Sequence, residues 1–529
     1  MKASQGLEVE KKYDVGADAV VPALSNLPGV ARMGEPHTAQ LDAVYFDTPD
    51  HQLAKRRITL RRRTGGTDAG WHLKLPPEGA DGTGPEPQQR RELHAPLGQA
   101  GVVPDVLLAR VQAYVRGVDP VPVVRLHTER TTHPLYGADG VHLADLADDR
   151  VTAERLRGAA GGKAGHRQQW REWELELVHG DTGLFAPAGE LLAAAGARPA
   201  GHASKLGKAL GAPREGAAGA ARTAAPEQGS PAPAAGKKAP AAAVVTVYVA
   251  AQIDELLARD GGVRLEEPEA VHDMRSAARR IRSVLAAYRK LYRAVPVRRL
   301  RDDLKWLGTL LGDPRDSEVL LARLRGHLDD LASGPGIETA RARVEHEVGA
   351  SYDAGYRRLQ AALRSDRYFR LLDSLEEFRD NPPLRTEAVA PGQRTVGKAV
   401  DKAAKRLRRS HKTAAHARRG TDHENALHRT RISAKRLRHV AESAALVKGK
   451  RAGKVAKAAR RQQKLLGDFH DAVLARNLLA GLQQDRKPGA AVEAYAALVR
   501  RQEELMAATE KKYRKARRKS RDLLRRGVL

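Results

Sequence analysis

Residues 7–13 read Leu7-Glu8-Val9-Glu10-Lys11-Lys12-Tyr13. On a strand, successive side chains point to opposite faces, so Glu8, Glu10 and Lys12 share one side. An ordinary half-buried antiparallel strand turns apolar residues to its inner face. The same charged parity returns downstream: Arg61 with Arg63, His72 with Lys74, Arg90 with Glu92. Glu172, Glu174 and Glu176 also align, opposite Trp173, Leu175 and Leu177. Carboxylates therefore come from the first strand and a late one, and cations from the strands between. Each charged face taken singly reads as a solvated surface with cross-strand ion pairs. Matched parity across five strands instead favours a sheet curled around a polar lumen. Such a lumen, with a carboxylate end and an Arg/Lys end, suits a divalent cation bridging the oxygens of a polyanion. Mg²⁺ and Mn²⁺ favour carboxylate and phosphate oxygen, and Arg and Lys grip the oxygens that remain.

Outward from this stretch, the 529 residues hold 93 Lys and Arg against 64 Asp and Glu, a net charge of +29. That surplus implies an anionic partner. It is unevenly placed: residues 1–213 hold 26 of each sign, so the whole excess lies beyond them. No cysteine is present, which excludes disulfides, cysteine-ligated zinc, iron–sulfur clusters and thiol catalysis. The N-terminal segment lacks an apolar signal core, and no run of about 18 apolar residues occurs, so a cytoplasmic protein without membrane insertion is expected.

Residues 212–243 are nearly all Ala, Gly and Pro and read as a semi-rigid linker. Before it, residues 1–211 carry short alternating segments between Gly/Pro/Asp turns, the pattern of a β-rich domain. After it, residues 244–525 carry long Ala/Leu/Arg-rich segments of helical period.

Glu8-x-Glu10-x-Lys12 resembles the ExExK signature of the CYTH superfamily, the triphosphate tunnel metalloenzymes. The order continues with Leu60-Arg61-Arg62-Arg63, Trp71-His72-Leu73-Lys74, Arg90-Arg91-Glu92, Thr128-Glu129-Arg130, Glu172-Trp173-Glu174-Leu175-Glu176 and Ser204-Lys205. The resemblance implies an α+β domain built on an antiparallel eight-stranded tunnel that binds a triphosphate and Mg²⁺ or Mn²⁺. It implies Glu8, Glu10, Glu174 and Glu176 at the metal, and Lys12, Arg61, Arg63, Lys74, Arg90, Arg130 and Lys205 on phosphate. Glu8, Glu10 and Lys12 form the implied catalytic set. Either Arg90 or Arg91 faces inward, and one of Asp145, Asp148 and Asp149 joins the metal end. No Ser–His–Asp arrangement or Walker loop is visible. Family members include adenylate cyclases and thiamine-triphosphate hydrolases; the second module favours inorganic triphosphate as substrate.

That module contains an internal repeat, near 271–320 and 427–475. VHDMRSAARRIR from Val271 matches LHRTRISAKRLR from Leu427, and Leu311-Gly312-Asp313 matches Leu466-Gly467-Asp468. On a helix, positions i, i+3, i+7 and i+10 share a face. His272, Arg275, Arg279 and Arg282 thus form one stripe, and His428, Arg431, Lys435 and Arg438 its copy. Like charges stacked on one helix face destabilise it unless an anion compensates.

This duplicated pattern resembles the CHAD domain. The resemblance implies an all-α pair of four-helix bundles whose basic surface, including both stripes, binds long-chain inorganic polyphosphate; association with polyphosphate granules follows as an expectation. Nucleic acid is the less favoured partner: 21 aromatics in 529 residues, none accompanying both stripes, offer few stacking platforms for bases. A non-catalytic polyphosphate scaffold and a nucleic-acid-associated basic protein remain the alternatives to a triphosphatase.

Overall fold

The computed structural model describes residues 4–76, 88–156, 165–211, 239–331, 334–484 and 490–528. It divides into two units, whose described parts are 4–211 and 239–528.

The first unit is built on ten strands: β1 (Ser4–Val15), β2 (Arg32–Met33), β3 (His37–Asp47), β4 (Thr59–Thr64), β5 (Gly70–Leu75), β6 (Gln88–Ala95), β7 (Val121–Tyr136), β8 (His142–Arg155), β9 (Arg167–Leu177) and β10 (Arg198–Pro199). Eight of them close in the order β1-β6-β5-β4-β3-β7-β8-β9, with β9 returning to β1. Every pairing around the ring is antiparallel, which an even number of strands permits. Short β2 adds to β7 and short β10 to β1.

The barrel is apolar outside and charged inside. On one flank, helix α1 (Asp105–Val115) lays Leu107, Val111 and Val115 against Phe46, Leu60, Trp71, Leu73 and Leu93. On another, α2 (Phe185–Ala194) covers Tyr13, Leu146, Trp173 and Leu175. Strand alternation then leaves the intervening charged residues facing the lumen. One end is plugged by α3 (Lys205–Ala209), where Leu206 and Ala209 pack on Tyr45, Leu126 and Val151.

The second unit is helical, with α4 (Ala241–Arg264), α5 (Ala270–Ala287), α6 (Ala294–Leu310), α7 (Gly312–Asp329), α8 (Pro335–Leu363) and α9 (Asp366–Asp380) in the first repeat. The second repeat holds α10 (Gly392–His416), α11 (Thr421–Ser443), α12 (Ala445–Gln484, kinked at Gly449) and α13 (Ala490–Arg526). The copies differ where Leu311-Gly312-Asp313 is followed by Pro314. There the chain breaks into α6 and α7, because proline lacks an N–H and clashes with the carbonyl four residues back. The counterpart Leu466-Gly467-Asp468 is followed by Phe469, and α12 runs through. A four-helix core of α10–α13 gathers Ala414, Leu427, Leu466, Phe469 and Tyr513. The far ends of α12 and α13 share a second core with α7 and α8 around Leu324, Val344, Leu479 and Tyr495.

Of the expected linker, 212–238 lies outside the described residues, and Ala241–Ala243 form the first turn of α4. Among the described residues, α4 alone is long and apolar enough to cross a membrane by composition. Its Val244, Val245, Val249, Ile253 and Leu256 are instead buried within the helical unit.

Candidate active site and basic cluster

The barrel encloses a cavity of about 590 Å³, open mouth included, lined by Glu8, Glu10, Lys12, Arg61, Arg63, Lys74, Arg90, Arg130, Glu174, Glu176 and Lys205. Tyr45, Thr59, Asp68, Glu92 and Ser204 complete the lining. Register explains the carboxylate end: Glu10 lies directly opposite Glu176 and Lys12 opposite Glu174 across β1 and β9. Three further carboxylate oxygens, from Asp149, Glu172 and Glu174, lie within 4.8 Å of one another.

The cations sort themselves among these groups. Lys12 bridges Glu10 at 2.9 Å and also pairs with Glu174. Lys205 meets Asp149, Glu172 and Glu174 at 2.8, 2.6 and 2.7 Å. Arg130 grips Asp149 with two nitrogens, at 2.7 and 2.6 Å, and reaches Glu174 at 2.6 Å. Burial alone would raise the pKa of Glu174, but Lys12, Lys205 and Arg130 outweigh it and hold the carboxyl low. Lys74 pairs with Glu8.

Among the described residues, Glu176 has no comparable partner. Burial and then the charges of Glu8, Glu10 and Glu174 push its pKa up to about 7, with Lys74 opposing. Glu8 Oε2 and Glu10 Oε1 are buried with no hydrogen-bond partner among the described residues. Six carboxylates here (Glu8, Glu10, Asp149, Glu172, Glu174, Glu176) lie among Lys12, Lys74, Arg130 and Lys205, with Arg90 opposite Glu8, and Glu176 keeps its proton. An all-oxygen donor set with two unpartnered oxygens beside a protonated carboxyl fits a hard divalent cation.

At the other end, Arg61, Arg63 and Arg90 line the cavity together with the acids Asp68 and Glu92. Burial, then repulsion from Arg61 and Arg130, lowers the Arg63 pKa to about 9. Asp68, from the β4–β5 turn, pairs with Arg63.

In the helical unit the two stripes converge where α5 packs on α11. Burial, then Arg279, Arg431, Arg282 and Arg275, pushes Lys435 down to about 6. Arg279 falls to about 10, through burial and then Arg275. Arg275 is held by Asp316 at 2.7 and 3.1 Å. The histidines enter as neutral rings. His428 is lowered to about 4 by burial and by His470, whose ring lies 4.2 Å away; burial and Arg315 lower His272. Arg438 turns away to Glu442 of its own helix at 2.7 Å.

Residues 6–193 match the profile of the CYTH domain and residues 247–480 that of the CHAD domain. The chain is 40% identical over 493 residues to an uncharacterized protein of Mycobacterium tuberculosis, found in strains CDC 1551 and H37Rv, covering 90% of this chain and 89% of that one. It belongs to the CYTH–CHAD fusion proteins. The CYTH domain places it in the triphosphate tunnel enzyme family. Similar solved structures include PptA from Streptomyces chartreusis (21% identity, 53% of this chain and 99% of that one, TM-score 0.46). An adenylyl cyclase-like protein from Hippeastrum described as having a dominant triphosphatase activity is also similar (18%, 39% and 95%, TM-score 0.25).

Within the CYTH domain, all eleven residues expected at the metal or the phosphates line one cavity; His72, which shares a face with Lys74, does not line it and pairs with Glu92 at 2.9 Å. Arg90, which stands opposite Glu8 in register, lines it, and Arg91 does not. Of the three aspartates, Asp149 joins the lumen cluster. Asp148 is tied to Arg171 at 2.8 and 2.7 Å, and Asp145 to His142 at 2.8 Å. The sequence reading omitted Tyr45, Asp68 and Glu172 from the site. Tyr45 sits in an apolar-looking YFD run, and Asp68 reaches the lumen only because its turn folds back. Glu172 carried a signal, sharing parity with Glu174. In the CHAD domain, seven of the eight stripe residues surround or flank the helix crossing, and Arg438 is drawn off by Glu442.

Proposed function

We propose that the CYTH domain hydrolyses inorganic triphosphate with Mg²⁺ or Mn²⁺, and that the CHAD domain holds long-chain polyphosphate and associates the protein with polyphosphate granules. The observation that carries the first half is the pair of orphaned oxygens, Glu8 Oε2 and Glu10 Oε1, beside the proton-retaining Glu176. These three residues would hold the cation, with Glu174 next to them. A divalent cation there would supply Lewis-acid neutralisation of phosphoryl oxygens. Arg61, Arg63, Arg90 and Arg130 bind and orient the phosphate chain, where fixed cations stabilise charge developing on the transferred group. Lys12, Lys74 and Lys205 hold the carboxylates in position. Glu176 gives up its proton when positive charge arrives.

The desolvated Lys435–Arg279–Arg431 cluster supports the second half, since a polyanion would relieve the repulsion that lowers Lys435. Phosphate release from tripolyphosphate with Mg²⁺ or Mn²⁺, compared between wild type and Glu8→Ala/Glu10→Ala, tests the enzyme. Loss of at least 100-fold is expected in the variant. Equal, background-level release from both proteins would leave only a binding scaffold. Competition between long-chain polyphosphate and DNA at matched salt, with Arg275 and Arg431 replaced, tests the CHAD half.

A further inference from the structure

The β4–β5 turn, Gly65-Gly66-Thr67-Asp68-Ala69, brings a carboxylate to the arginine end of the lumen. Its path is set by its neighbours. Gly65 and Gly66 take φ of +79° and +73°, the left-handed region that favours glycine, and a Cβ at Gly65 would overlap the Gln40 carbonyl of β3. Beyond the turn, His72 is buried, and its Nε2 lies 3.0 Å from the Asp68 carbonyl oxygen. Its Nδ1 lies 2.9 Å from Glu92 of β6. The backbone of Asp68 is therefore tied to the barrel wall, and the carboxylate is the part that can exchange partners.

That carboxylate pairs with Arg63. The two arrive from opposite sides of the mouth: the Arg63 side chain is 7% exposed, that of Asp68 54%. Arg61 Nε and Arg63 Nε are buried with no hydrogen-bond partner among the described residues. The arginine end thus has donors to spare, and Asp68 answers Arg63 with one half-solvated charge. Ion pairs with that much solvent contact are weak.

The pair also marks where the tunnel opens. Ala209, at the end of α3, accepts from Arg155 and Gln168, at the end of β8 and the start of β9. Antiparallel register passes from the end of β8 to the start of β7, the end of β3 and the start of β4. The turn after β4 therefore lies at the barrel end opposite the α3 plug. A chain too long for the lumen must leave past Asp68.

We propose that Asp68 is a specificity-determining residue at the tunnel mouth: its carboxylate occupies Arg63 until a substrate phosphate displaces it, and its charge disfavours phosphate chains that continue outward. This rests on the proposed binding of a phosphate chain in the lumen. A terminal phosphate brings about two charges and three acceptor oxygens, so it outcompetes a single carboxylate once Arg61, Arg90 and Arg130 hold the rest of the chain. The displaced carboxylate stays close, because its backbone is tied. A further phosphate beyond Arg63 would face it against a low-dielectric wall, where like charges repel more strongly than in water.

Asp68→Asn keeps the shape of the side chain and the carbonyl that His72 holds, and removes the charge. In the full chain with Mg²⁺ it should lower KM for tripolyphosphate at least fivefold. The ratio of kcat/KM for linear tetraphosphate to that for tripolyphosphate should rise at least threefold. Asp68→Glu, which retains the charge, should show neither gain. In an Arg63→Gln background the KM gain should vanish, since no guanidinium is left to release. An unchanged KM, an unchanged tetraphosphate to tripolyphosphate ratio, or a gain that survives Arg63→Gln overturns the proposal. If wild type and Asp68→Asn both release phosphate only at background, the hydrolysis reading fails by itself and the exchange is read from binding. Tripolyphosphate in EDTA should then raise the urea midpoint of the barrel more for Asp68→Asn than for the wild type, and equal shifts overturn the role of Asp68.

Discussion

Replacing Glu176 by Gln should stabilise the metal-free protein at alkaline pH and weaken its response to metal. In the folded barrel Glu176 keeps its proton up to about pH 7, whereas the unfolded chain loses it near the ordinary 4.5. Between those values the folded state binds more protons, so this group's contribution makes stability fall as pH rises from 4.5 to 7, and the loss persists above. That interval corresponds to about 3 kcal/mol in full. Partial solvent contact at Glu176 reduces it, so a gain of about 1–2 kcal/mol is expected at pH 8. About a quarter of that should remain at pH 5. Urea unfolding followed by tryptophan fluorescence reads the barrel, since Trp71, Trp170 and Trp173 lie there and only Trp306 lies elsewhere. Mn²⁺ should raise the wild-type midpoint more than that of Glu176→Gln, because the cation replaces the proton. A Gln variant less stable at pH 8, a difference independent of pH, or equal stabilisation of both by Mn²⁺ would refute the reasoning.

Three further outcomes follow from the packing and charges described above. Polyphosphate binding should take up close to one proton at pH 8, because an anion beside Lys435 restores its charge, and affinity should fall as pH rises above about 6. Calorimetry in buffers of different ionisation heat measures that uptake, which Lys435→Met should abolish. Arg431→Ala should weaken polyphosphate at least tenfold, while Arg438→Ala, already paired with Glu442, should cost less than twofold in the same titration. Leu107→Ala, which opens a gap between α1 and the barrel, should cost about 2–4 kcal/mol in urea unfolding with tripolyphosphate affinity at 25 °C unchanged.

Parity made most of the lumen legible in the sequence. The period of two on a strand is strict, so Glu8, Glu10 and Lys12 or Glu172, Glu174 and Glu176 declare a shared face without any coordinates. The repeat was equally legible, because His272 and His428 head the same pattern of cations. Choices among neighbours were not. Arg90 and Arg91 are adjacent and alike, and only the register against Glu8 tells which one enters the lumen. Asp145, Asp148 and Asp149 differ through Arg171 and His142, residues from other parts of the fold that claim two of them. Arg438 fits its stripe by spacing, yet a glutamate one turn later captures it.

The chain by itself determined a charged lumen, a duplicated basic helix and a surplus confined to the second module, since alternation, period and composition are local properties of a polymer. The tertiary structure decided how those charges add up. Closure of eight strands set Glu176 beside Glu8, Glu10 and Glu174, and the crossing of α5 on α11 drove Arg279, Arg431 and Lys435 together. Charge interactions depend on distance and on exclusion of water, and both are fixed only when segments far apart in the sequence meet.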